Sequence, residues 1–107
     1  MRICFSPVKR FGGQVTLPDT YTFGQVMAWE QALDAAASAG GKGYAAWHAL
    51  LPGIIACVDK WELTGVPEQP TPETFPFTPL VSANKLMAWL MGEVQAQIAA
   101  GDELPNA

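Results

Sequence analysis

The sequence predicts a mainly α domain: three helices, the middle one broken at Pro52, with a small N-terminal β-hairpin and a proline-rich crossover strap. Apolar residues recur at helical spacing in three separate runs. The pairs Gly12-Gly13 and Gly40-Gly41, and the prolines at 67, 70, 72, 76 and 79, fall between those runs and punctuate them. Half of the residues are hydrophobic and 15% are charged, so the chain can bury a core instead of staying disordered. At 107 residues it forms one domain, 1–107.

The hairpin occupies residues 1–18. In "MRICFSPV" a weak alternation places Ile3 and Phe5 on one face and Arg2 and Cys4 on the other. Gly12-Gly13 then suit a turn, because glycine reaches positive φ without a Cβ clash, and Gln14–Leu17 return as the second strand. Pro18 closes it.

Helix 1 spans 22–39. Thr22 and Gln25 have the spacing of a capping box, in which hydroxyl and amide each satisfy a free backbone N–H. Val26, Trp29, Leu33 and Ala36 form its apolar stripe, with Phe23 and Met27 beside it, and the glycine pair ends it. Helix 2, residues 44–59, is apolar nearly all round: Tyr44, Trp47, Leu51, Ile54 and Val58 line one side, and Leu50 and Ile55 lie elsewhere. Such a segment needs neighbours on several sides, which places it centrally. Pro52 forfeits a hydrogen bond in a helix interior, so the expectation is a helix that ends near Leu51 and a second turn that begins at Pro52. A single kinked helix is the alternative.

The strap, 61–81, holds five prolines that fix φ and bias their predecessors away from helix. Trp61–Leu63 can form a short extended piece, and one helical turn can start at Thr71 with Pro72 in its first position. Two roles are open to this segment. It covers the core with Phe75 and Phe77 tucked in, or it presents an aromatic-proline ledge to another protein. Helix 3, residues 82–100, has Ser82 as a candidate N-cap and the stripe Leu86, Leu90, Val94 and Ile98, followed by a tail at 101–107.

Charge and cysteine usage narrow the function. The net charge is −4, and of the six cations only Lys9 and Arg10 are adjacent, which argues against a nucleic-acid partner. The longest uncharged run, "GYAAWHALLPGIIACV" at 43–58, is shorter than the roughly 20 residues of a membrane span and contains Pro52. The N-terminal apolar stretch is too brief for a secretory signal, so the expected compartment is reducing and Cys4 and Cys57 are expected to be free thiols.

Catalytic chemistry finds little support. His48 is the one histidine, and no thiol-protease pattern surrounds Cys57 or its sequence neighbour Asp59. One histidine and two cysteines at 4, 48 and 57 do not make a zinc set. "GGKG" at 40–43 lacks phosphate-loop spacing, and Glu30 and Asp34 share a helix face without a second acidic pair. The expectation is a protein without enzymatic activity, metal or cofactor. Its candidate partner-binding residues are Trp61, Pro67, Pro70, Phe75 and Phe77 in the strap, then Trp89 and Met91 in helix 3.

Three stretches, "GQVTLPDTYTFGQVMAWEQAL", "LPGIIACVDKWELTGVPE" and "TPETFPFTP", occur in succession before the last helix. This order, over residues 12 to 99, resembles small proteins encoded among bacteriophage tail genes and grouped with tail assembly chaperones. The resemblance rests on packing residues and not on a chemical fingerprint. It implies a non-enzymatic tail assembly chaperone or small tail structural protein in the host cytoplasm, with association with the virion left open, whose partners are the tape-measure protein or tail-tube subunits. A small acidic inhibitor or adaptor that binds a host protein through the same strap is the alternative.

Overall fold

The computed structural model describes residues 1–40 and 43–102. In chain order it forms β1 (Arg2–Phe5), a 3-10 turn at Lys9–Phe11, β2 (Gly13–Leu17), α1 (Phe23–Ser38), α2 (Gly43–Cys57), β3 (Lys60–Leu63) and α3 (Leu80–Asp102). The architecture is mainly α with a small sheet, as the periodicity predicts. Two of the expected boundaries shift. α3 starts at Leu80, with the Ala83 N–H bonded to the Pro79 carbonyl, so Ser82 lies inside the first turn and is not its cap. It also runs two residues past the expected end, and the rest of the tail (103–107), like Gly41-Lys42 of the glycine-rich connector, lies outside the described residues.

The sheet has three strands in the order β1-β2-β3, all antiparallel. The strands of the predicted hairpin pair with Phe5 opposite Gln14 and Cys4 opposite Val15, but Gly12-Gly13 do not make its turn. Residues 6–12 connect the strands through the 3-10 turn, which buries Phe11. Gly13 makes room for another strand. At φ 126° it stands opposite Leu63, and a Cβ there would come within 2.0 Å of the Glu62 carbonyl oxygen. Absence of a side chain at Gly13 is what admits β3 to the sheet. The extended piece foreseen at Trp61–Leu63 is therefore a full strand, and the strap proper begins after it.

Alternation sorts the sheet into two faces. Cys4, Val15, Leu17, Trp61 and Leu63 face inward and are buried, while Ile3 and Phe5 are exposed. The inward strand residues share one buried core with Trp29 and Ala32 of α1, Leu50, Leu51, Ile54 and Cys57 of α2, and Ala83, Leu86, Met87, Leu90 and Val94 of α3. The α3 stripe is as its spacing predicts, with Ile98 only partly buried at its end.

α1 and α2 form an antiparallel helical pair whose ends are tied by side chains. The capping box is present: the Thr22 hydroxyl accepts from the Gln25 N–H, and the Gln25 Oε1 accepts from the Thr22 N–H. The same Gln25 donates through Nε2 to the Ala56 carbonyl at 3.0 Å, and the Tyr21 hydroxyl donates to the Cys57 carbonyl at 2.8 Å. Two of the carbonyls that the α2 C-terminus would leave without partners are thus satisfied by the chain entering α1.

α2 is one helix through Pro52; the expected end near Leu51 does not occur. The i−4 partner that a proline denies is the His48 carbonyl. Both Pro52 and His48 are exposed, so the forfeited hydrogen bond falls on the solvent side of α2, where its loss is least costly. The next residue, Gly53, faces inward and brings the two helices together: a Cβ there would lie 2.6 Å from Ala32 Cβ.

After β3 the strap turns inward. Val66, Pro70 and Phe75 are buried. Thr71–Phe75 forms the single turn expected at Thr71, with the Thr71 carbonyl accepting from both the Thr74 and Phe75 N–H groups. Thr71 and Thr74 also exchange hydroxyl-to-backbone hydrogen bonds at 2.8 and 3.2 Å.

Both cysteines are buried and free. Burial, followed by the hydrogen bond to Glu93 and its charge, pushes the Cys4 thiol up from 9.0 to about 11, against a smaller opposite pull from Arg2. Burial alone takes Cys57 to about 11, and Tyr21 beside it is likewise held above its ordinary value, first by burial. Below pH 9 the thiols are protonated whether the chain is folded or unfolded, and they add no pH dependence. Between 9 and 11 the unfolded chain releases these protons and the folded chain retains them, so stability falls as pH rises through that window. A thermal midpoint that declines across it is the expected result; a flat profile rules the assignment out.

Candidate interaction surface

Among the described residues no three His, Cys, Asp or Glu side chains gather as a metal site would require, and no helix is long and apolar enough to cross a membrane. His48 and Cys57 are not brought together. His48 is exposed and meets Glu73 of the strap at 3.2 Å, whereas the Cys57 thiol is buried and faces the Gln25 carbonyl.

An apolar groove of about 290 Å³ lies between the helices. α1 contributes Leu33 and Ala36, α2 contributes Gly43, Ala46, Trp47 and Leu50, and α3 contributes Met91. Helical spacing explains the set: Leu33 and Ala36 are three apart, and Gly43, Ala46, Trp47 and Leu50 recur at three and four. The Trp47 indole N–H donates to Asn84 Oδ1 at 2.8 Å, which fixes the ring as one wall.

Beyond that wall lies a smaller hollow of about 130 Å³, lined by Gly43, Tyr44, Phe77, Leu80 and Asn84. Gly43 borders both concavities, so they adjoin at the start of α2. The Tyr44 and Phe77 rings lie 5.1 Å apart between centroids at 57°, a tilted aromatic pair. Tyr44 is 63% exposed, Leu80 43%, and Val81, next to it, 68%. No lining residue of either concavity carries a charge. The surface is suited to receive apolar side chains.

The partner-binding residues expected from sequence divide sharply. Met91 lines the groove and Phe77 lines the adjoining hollow. Trp61 and Phe75 do not belong to any exposed ledge: both are buried, edge to face with centroids 5.7 Å apart, in the core between β3 and the strap. Pro70 is buried as well, Trp89 is half-buried against the core, and Pro67 is exposed but lines neither concavity. The strap is therefore core cover over its first part, with only Phe77 turned toward the groove region.

Sequence reasoning missed Leu33, Ala36, Tyr44, Trp47 and Leu80 as surface residues. The available signal was the apolar circumference of α2, which was expected to be covered on every side and is left open on one.

Comparison with protein-family models, with curated proteins and with solved structures returned no match to this chain.

Proposed function

We propose that this protein is non-enzymatic and acts in bacteriophage tail assembly by holding an apolar helical segment of a tail protein, the tape-measure protein or a tube subunit. The uncharged groove between α1, α2 and α3 carries this reading. Its floor of Gly43, Ala36 and Ala46 lets another helix approach closely, and Trp47, Leu33 and Met91 stand as the ridges between which its side chains would lie. A fourth helix laid there completes the packing that α2, apolar nearly all round, leaves unfinished. The resemblance of the three sequence stretches to tail assembly chaperones supports the choice of partner, and the acidic surface keeps such a holder soluble.

Co-expression with tape-measure fragments tests the reading. The parent chain retains a fragment on affinity resin. Met91→Glu and Tyr44→Asp each place a charge against the bound helix and reduce retention at least about tenfold, equivalent to about 1.4 kcal/mol. Both residues are exposed enough that the thermal midpoint stays near the parental value. Retention of no tail component, or equal retention by the variants, overturns it.

A further inference from the structure

On the flank formed by the Lys9–Phe11 turn and the start of α3 lies a basin of about 560 Å³ lined by Pro7, Val8, Lys9, Arg10, Ser82 and Lys85. Three of the chain's six cations meet there, although acids outnumber bases ten to six. The other pairs are made elsewhere: Arg2 with Glu93, Lys60 with Glu62, His48 with Glu73 and the N-terminal amine with Asp19. Lys9, Arg10 and Lys85 have no ion-pair partner among the described residues. The fold makes this gathering. Val8 is buried and anchors the turn, so Lys9 and Arg10 project beside Ser82 and Lys85, which are three apart on one face of the first turns of α3. That helix spans 23 residues, and the unpaired N–H groups of its first turn add positive potential to the same place.

We propose that this basin binds a carboxylate-rich segment of a protein partner, at a site separate from the apolar groove and independent of the tail reading. Two observations select an acidic peptide over a nucleic acid. Among the described residues the unpaired cations are confined to this basin, enough to engage a few adjacent carboxylates but without the track that an extended phosphate backbone follows. The chain as a whole carries a net charge of −4, and the acidic surface outside the basin repels a long polyanion. The parts also suit carboxylates: the Arg10 fork accommodates one bidentately, the two lysines supply mobile point charges, and the Ser82 hydroxyl supplies a neutral donor. Pro7 and Val8 add an apolar floor for the peptide's methylene groups.

The test is fluorescence anisotropy with a labelled hexaglutamate peptide at low salt, on the full chain and on Lys9→Gln/Arg10→Gln/Lys85→Gln. Saturable binding is expected, weakened at least about tenfold in the triple variant and by added salt, and unchanged in Lys60→Gln. All three substituted side chains lie at the surface, so the variant folds, and a matching thermal midpoint verifies it. Absence of saturable binding, or equal binding by the triple variant, overturns the proposal. So does tighter binding of an oligonucleotide with the same number of charges, or complete displacement of the peptide by inorganic phosphate at equal concentration, because either assigns the basin to phosphate groups.

Discussion

Gly53→Ala lowers the unfolding free energy by about 1–2 kcal/mol, and Ala32→Gly in the same chain recovers part of that loss. The sign is informative, since alanine in a helix interior ordinarily gains about 1 kcal/mol over glycine. Here the added Cβ meets Ala32 Cβ at 2.6 Å, with the Ala28 carbonyl oxygen and Trp29 Cα both at 3.2 Å. None of these atoms is the far end of a flexible side chain, so α1 and α2 must separate. That separation disturbs the close packing around Trp29, which overpacking penalises by about 1–3 kcal/mol. Removing the Ala32 methyl group restores room, so the double variant is more stable than the two separate losses would add up to. Chemical denaturation of all four chains measures the coupling. A Gly53→Ala chain that is as stable as the parent, or single effects that simply add, would contradict this packing.

Trp61→Ala is expected to cost about 3–5 kcal/mol, enough to leave much of a marginally stable domain unfolded. Trp61 is 5% exposed and Phe75 6%, and their edge-to-face contact joins β3 to the strap. Phe75→Ala is expected to be comparably severe. The double variant should lose less than the sum by about 0.5–1.5 kcal/mol, the worth of the ring pair itself. Urea denaturation reads all three values, and an unfolding midpoint for Trp61→Ala equal to the parental one would refute the assignment. A partner-binding assay on either variant reports loss of the fold before it reports loss of an interface, so Met91 and Tyr44 are the informative positions.

What the sequence reveals is mostly local. The Thr22–Gln25 box is a four-residue code read by the backbone it caps, and α1 starts there as expected. The α3 stripe is equally legible because one helix face meets one core. β3 is legible as an extended piece at Trp61–Leu63, but its place in the sheet is not, because its pairing with β2 joins Thr16 to Lys60 across the whole helical pair and four residues carry too little pattern to announce a partner. Pro52 misleads for a different reason: its cost depends on whether the abandoned carbonyl faces water, which follows from the helix's orientation and not from the proline itself.

The candidate surface is half legible on the same grounds. Met91 and Phe77 are identifiable as large apolar side chains near the last helix. Trp61 and Phe75 have the same composition signal but lie on the inward side, and only the position of β3 decides that. Tyr44 and Trp47 belong to a run apolar on all sides, in which nothing marks the side left uncovered.

Gln25 has a consequence for how this molecule breathes. One amide group accepts from the residue that opens α1 and donates to a carbonyl near the close of α2. Loosening either terminus releases the restraint on its counterpart, so the two ends of the helical pair fray as a unit, with their amides exposed to solvent in the same opening event.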